Sequence, residues 1–382
     1  MKLLRLCAAV LAVLASLAAQ AEPVVPANDE QVIEVLPALN GNRAEERRMR
    51  REWSANPSDV GKSVALARRY LDQARSEGDP RRAGLALAAL QAWPDLTQAP
   101  DEVLLMAATI EQYLHDFERA ALHLERLVKR QPDQAQAWLT LATVRRVQGR
   151  YAQSDAACDA LLPLIPLYAQ ACRAENQGLR GDFDGARDAL TQLVRQVRGD
   201  ADSRNWLLTT LAETQARAGR VSDAETAYRL ALAARRDAYT LMSYADFLIV
   251  QNRPADALEL LKDEPRNDAM LLRLAIAGTL AKAPQAARDA REMRERMRLA
   301  NERPDARNAH AREQAMFALW VDASPERAWR LARINVKHQR EPLDLMVLAQ
   351  AARATGEPRA IAEADALRQE MDLHDRRLDA SL

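Results

Sequence analysis

A period is the feature that most constrains this chain. Bulky or turn-forming residues recur at Phe117, Tyr151, Phe183, Val221 and Pro254, at spacings of 34, 32, 38 and 33 residues. Weaker markers carry the series back to Pro80 and on to Pro284, Pro325 and Pro358. Three residues beyond most markers stands a small side chain: Ala83, Ala120, Ala186, Ala224, Ala257, Ala287 and Ala328. A period of this length is one supersecondary unit that cannot bury its apolar face alone, so neighbours must stack into a quasi-one-dimensional array. Alanine, leucine and arginine dominate, and 12 glycines and four phenylalanines give strands little to work with. Each unit therefore reads as a helix pair, and the markers give nine candidate pairs in one all-α domain over residues 43–376.

The best-formed unit is WLTLATVRRVQGRY, Trp138 to Tyr151, continued by Ser154, Cys158, Leu161 and Pro166. It resembles the tetratricopeptide repeat. A large residue opens helix A, a Leu-Ala pair follows, a Gly-x-aromatic turn joins the helices, and small or apolar residues recur along helix B before a closing proline. Ser154 and Cys158 stand where the pattern usually has alanine and an aromatic. The resemblance implies a right-handed superhelical solenoid of antiparallel helix pairs that acts by holding a protein or peptide, without catalysis and without a cofactor. Two places look irregular. One is the long turn from Ser76 to Pro80, and the other is the charged stretch from Arg288 to Arg307, which should prolong a helix.

The first 21 residues have the three parts of a secretory signal: Lys2 and Arg5, the apolar stretch Leu6 to Leu17, and Ala19-Gln20-Ala21 as a cleavage site. The mature chain is expected to begin at Glu22, outside the cytoplasm and preferably in a bacterial periplasm, with no membrane span. Residues 22–42, with Pro23, Pro26, Pro37 and Gly41, read as an extended lead-in. A charged helix ending near Arg376 reads as a cap, with Ile361, Ala364, Leu367 and Met371 on one side, and residues 377–382 as a tail. Charge is balanced at 54 basic against 54 acidic residues, so nothing global attracts nucleic acid. The basic run Arg43 to Arg51 is interleaved with Glu45 and Glu46 and reads as a solvated helix face.

Catalytic and metal motifs fail on named residues. Asn56 to Ser63 comes one residue short of a phosphate-binding loop, since glycine is missing at Asn56 and a charged helix precedes it where a strand is required. The histidines His115, His123, His310, His338 and His374 show no metal-ligating spacing. His310 with Arg312 and Glu313 reads as exposed helix surface or, less simply, a polar cluster. Cys158 and Cys172 flank the turn near Ile165-Pro166. Helix axes pack about 8–10 Å apart, whereas disulfide Cα atoms must approach within about 7 Å, so the two either pair at a close crossing or remain buried thiols.

With Trp138 as the fourth position of its repeat, the second and ninth positions share a helix face. They read Tyr168, Trp206 and Tyr239, and Glu175, Glu213 and Asp246, in three successive units. The resemblance turns these positions to the concave surface. Three stacked aromatics beside three stacked carboxylates would suit a peptide or loop carrying Lys or Arg. Family members that bind chaperones grip a terminal carboxylate with Lys, Arg and Asn, a set missing here. The leading expectation is an exported scaffold serving assembly or export of an envelope complex. The alternatives are a periplasmic protein or enzyme that handles glycan through groove carboxylates, and a self-associating repeat protein.

Overall fold

The computed structural model describes residues 41–77, 80–302 and 310–379. The signal segment, the lead-in up to residue 40 and residues 380–382 lie outside the described residues. The chain divides into two units, Met1–Arg48 and Met49–Leu382. Of the first, the described part is the opening of α1 (Gly41–Ala55), so helix begins two residues inside the expected lead-in.

Among the described residues of the second unit, helix is the sole regular structure. Its helices A are α2 (Val60–Glu77), α4 (Asp101–Tyr113), α6 (Ala135–Val147), α8 (Pro166–Leu179), α10 (Ala201–Arg217), α12 (Ala238–Val250), α14 (Asp268–Ala281), α16 (Ala311–Trp320) and α18 (Pro342–Thr355). Each is followed by its helix B: α3 (Pro80–Ala88), α5 (Phe117–Arg130), α7 (Tyr151–Leu161), α9 (Phe183–Gln196), α11 (Val221–Ala234), α13 (Pro254–Leu261), α15 (Ala286–Asn301), α17 (Pro325–Asn335) and α19 (Pro358–Glu370). A short α20 (Arg376–Asp379) ends the described chain.

Eight of the nine markers are the first residue of a helix B. The cause is a turn repeated with little change. Two residues before each marker from Phe117 onward the backbone is left-handed, at His115, Gly149, Gly181, Gly219, Asn252, Lys282, Ala323 and Gly356. In six of them the next amide reaches back five residues to close the end of helix A, as Arg150 N donates to Arg145 O (2.8 Å) and Arg220 N to Gln215 O (2.9 Å). Proline then suits the first position of helix B, where its missing N–H costs nothing. Pro166, expected to close a repeat, works in the same way and opens α8.

The small residues do what the period requires. Ala83, Ala120, Ala186, Ala224, Ala257 and Ala328 are fully buried between paired helices. Gly178 shows how close that approach is: a Cβ there would lie 3.1 Å from Ala186 Cβ. The seventh pair departs from the expectation. There α15 starts two residues after Pro284, Ala287 is exposed and Ala290 is buried instead. The longer turn after Lys282 has shifted the register by three residues, nearly one helical turn, so a small residue still faces α14.

The solenoid returns on itself. Arg340 N, between α17 and α18, donates to Val147 O at the end of α6 (2.7 Å), and His374 N donates to Leu179 O at the end of α8 (2.8 Å). Residues 371–379 form a strap across the A–B turns of three middle pairs. Met371 packs at Gly149, His374 at Gly181 and Arg376 at Gly219, with the Arg376 guanidinium 5.9 Å from the centre of the Phe183 ring. Met371, Leu373 and Leu378 are buried in the same core as Tyr151 and Leu179. Residues 376–379, expected as part of a cap and a tail, are thus helical and carry a fully buried leucine. The four residues of α20 dock against α18 and, far away in sequence, α10.

Candidate ligand groove

The inner faces of helices A enclose a cavity of about 2390 Å³. Spacing of three and four along each helix sets the lining, as with Tyr168, Cys172, Glu175 and Leu179 on α8, and Trp206, Thr210, Glu213 and Arg217 on α10. A drug-sized ligand site occupies roughly 300–1,000 Å³, so this space suits a protein segment. Its walls run from Arg75 on α2 to Met346 on α18.

All six residues singled out in the sequence line this one cavity. Their arrangement differs from a simple ladder. Tyr168 and Trp206 stack with ring centres 5.4 Å apart and planes 26° from parallel, and the Tyr168 hydroxyl meets Ser203 Oγ at 2.7 Å. Such a pair contributes about 0.5–1.5 kcal/mol beyond its buried area. Tyr239 stands apart from the stack, 55% exposed into the groove, and its hydroxyl donates to Glu213 Oε1 (2.9 Å).

The carboxylates are not bare acceptors. Glu175 pairs with Arg146 Nε (3.0 Å) and Asp246 with Arg273 Nη2 (2.6 Å). Glu213 instead accepts two hydroxyls at one oxygen, from Tyr239 and from Ser243 (2.8 Å), and Ser243 also bonds the buried Tyr228 hydroxyl (2.8 Å). An acid on a crowded inner wall needs such company, because a buried charge without a partner costs several kcal/mol. Burial pushes the Glu213 carboxyl up, opposed by the Arg217 charge one turn along α10. Burial likewise pushes Asp246 up against the pull of Arg273. The charge of Glu213 first, and burial second, hold the Tyr239 phenol well above its ordinary value.

The arginine partners escaped sequence reasoning because no periodicity marks them. Arg146 reaches Glu175 from the preceding helix A, near its end, whereas Arg273 reaches Asp246 from the following helix A, near its start. The far wall carries a further cluster. Arg312 Nε and Nη2 bind the two oxygens of buried Asp344 (2.5 and 2.9 Å), and the same guanidinium meets Glu341. Asn335 Nδ2 donates to Asp344 (2.6 Å), and Glu341 N donates to it as well (2.7 Å), which caps α18. The simpler expectation of exposed helix surface around Arg312 is therefore corrected to a polar cluster, formed because α16 and α18 bring their first turns together.

Cys158 and Cys172 form a disulfide between α7 and α8, with Cα atoms 5.9 Å apart, and Cys172 also lines the groove. The loop-like string near Gly61 is a turn into α2. Lys62 N is bonded to Asp59 Oδ1 (3.0 Å) and Ser63 Oγ to Pro57 O (2.9 Å). Among the described residues no helix is long and apolar enough to cross a membrane.

Residues 105–171 match the family model described as tetratricopeptide repeat. A solved tetratricopeptide repeat protein from Parabacteroides merdae is similar in fold, with a TM-score of 0.50 at 13% identity, covering 62% of this chain and 92% of that one. The Rap protein, solved in complex with Competence and Sporulation Factor, is similar over 89% of this chain and 94% of its own, with a TM-score of 0.52 at 10% identity. At such identities the likeness bears on fold alone. No curated protein sequence matches at a significant level.

Proposed function

We propose that this tetratricopeptide-repeat chain is an exported, non-catalytic scaffold that holds a protein segment in its inner groove, in service of assembly or export of a cell-envelope complex. The observation that carries the reading is the groove itself: about 2390 Å³, aromatic and polar together, on a fold whose repeats are interaction modules. A protein of similar fold, Rap, has been solved holding a factor, which supports a bound partner without naming it. The signal-like opening residues and the disulfide between Cys158 and Cys172 support an oxidising compartment. Preference for basic residues in the partner belongs to Glu213, since Glu175 and Asp246 already have arginines.

A photocrosslinking residue at Tyr239 tests the groove against one at Leu122. The two positions are equally exposed, at 55% and 54%, but only Tyr239 lines the cavity. In intact cells the Tyr239 probe is expected to trap a discrete envelope partner that the Leu122 probe does not. Identical crosslinking patterns from the two would sink the proposal.

A further inference from the structure

Among the residues of the strap, Arg377 is the one that reaches the groove wall. Its guanidinium is gripped by Asp375 (Nε to Oδ1 2.8 Å, Nη2 to Oδ2 2.5 Å), with the two side chains 16% and 0% exposed. Tyr228 and Glu213 lie within the field of that guanidinium. The geometry is consistent along the chain. Arg376 sits at Gly219, just past the end of α10, and Glu213 is one turn inside that end.

Glu213 differs from three other acids of the inner wall. Glu175, Asp246 and Glu341 each have an arginine within ion-pairing distance, whereas Glu213 has hydroxyl donors. Arg217 on its own helix acts on it electrostatically, and Arg377, delivered by a separate segment, lines the same cavity. That segment is joined to α19 through Met371 and Asp372, the latter with left-handed backbone (φ 54°). It touches the solenoid as a docked ligand would, with one main-chain bond to Leu179 O, one arginine on the groove wall, and the adjacent Leu378 buried.

We infer that the strap is a stand-in for the groove's partner: a segment presenting an arginine next to an aliphatic residue, as Arg377 precedes Leu378, displaces the strap and takes its place on the wall that Glu213 shares. The inference rests on the groove being the contact surface. Tethering gives the strap a high effective concentration at its own site, so a free partner competes by adding contacts the strap does not make. Tyr168, Trp206 and the exposed ring of Tyr239 supply them. Binding then unlatches the solenoid, and a partner bound only while the strap is displaced has its apparent affinity reduced by the fraction of time the strap is closed.

The probe is a fluorescein-labelled peptide of residues 371–379, titrated onto the full-length chain by anisotropy. Three chains are compared: unmodified, Arg377→Gln, and an oxidised Gly219→Cys/Arg376→Cys lock. A Cβ at Gly219 lies 3.8 Å from Arg376 Cβ, inside the range of about 3.5–4.5 Å that a disulfide needs. The left-handed backbone of that turn position is borne by His115, Asn252, Lys282 and Ala323 in other pairs, so a side chain is accepted there. Since Arg377→Gln removes the strap's charge from the groove wall and its grip by Asp375, the peptide should bind that chain about tenfold more tightly than the unmodified chain, and the locked chain about tenfold more weakly. A peptide with glutamine in place of its own second arginine should lose a similar factor. Equal binding to the locked and unmodified chains, indifference to the peptide's arginine, or no binding to any of the three chains overturns the inference. If Tyr239 still traps a discrete partner and that capture is indifferent to the lock, the strap inference fails while the groove reading stands.

Discussion

Alanine at Gly181 should unseat the strap, and the cost can be worked out against an internal reference. Gly181 has φ +97° and Gly356 has φ +72°, so both replacements force a side chain into left-handed backbone. That alone costs about 1–2 kcal/mol. At Gly356 nothing lies within 4 Å of the new Cβ, and the backbone cost is the whole effect. At Gly181 the Cβ would stand 2.9 Å from Cγ of His374 and 3.3 Å from its Cβ. Rotation about χ1 can carry Cγ away, but Cβ is fixed by the backbone, so the strap itself must retreat. Retreat breaks the bond from His374 N to Leu179 O, now 2.8 Å, for about 1 kcal/mol. It also loosens the seats of Leu373 and Leu378, for about another 1 kcal/mol. Gly181→Ala should therefore cost about 3 kcal/mol against about 1 kcal/mol for Gly356→Ala. Native-state hydrogen exchange is the assay, because a solenoid opens locally and no single unfolding energy describes it. The amides of His374 and Leu378 should exchange faster in Gly181→Ala and not in Gly356→Ala. Equal effects of the two substitutions would refute the clasp.

Removing Arg273 as Arg273→Met strands Asp246 on a buried wall and should cost about 3 kcal/mol, most of it recovered when Asp246→Leu is added; thermal melts of the two variants decide this. Because burial raises the Glu213 pKa in the folded chain, this group favours folding most fully below the ordinary glutamate value of about 4.3, and the benefit is lost as pH rises through the higher folded value. Denaturation curves measured across that window should show the parent losing stability relative to Glu213→Gln as pH rises, and a difference that does not change with pH would refute it. Replacing Cys158 and Cys172 together with serine frees a 14-residue separation and should cost about 3 kcal/mol, seen as a lower denaturant midpoint that added reductant no longer changes. If the proposed export holds, intact mass of the protein recovered from cells should correspond to a chain beginning at Glu22, and a product starting at Met1 would refute the cleaved signal.

The helix pairs were legible because each rests on local rules repeated at fixed offsets. A left-handed turn residue, a helix start two residues on and a buried alanine three further can all be read without knowing what packs against what. Pro284 shows the limit of that reading. It looks like the other starting prolines, but the turn before it is longer, and the buried alanine moves to Ala290. The groove-facing register was legible for the same reason as the pairs, whereas the charge state of the groove was not. Arg146 and Arg273 meet their carboxylates from opposite neighbours and at different heights, so no offset predicts them. The strap was beyond reach altogether. Its contacts join Gly149, Gly181 and Gly219 to residues 371–376, a pairing that neither periodicity nor composition encodes. For the cysteines, average helix spacing left both outcomes open, and only the actual crossing of α7 and α8, at 5.9 Å between Cα atoms, brings them within bonding reach.

The two main-chain bonds that close the solenoid also limit how such a gene can change length. An open array tolerates duplication or loss of a unit, since each new pair needs only its neighbours. Here Val147 must meet Arg340 and Leu179 must meet His374 at once. Inserting or deleting a pair between them would carry the strap past its seats by a whole unit and leave Leu378 without a pocket. Copy number is thereby fixed from Tyr151 to His374, whereas the pairs that come before Tyr151 lie outside both closures.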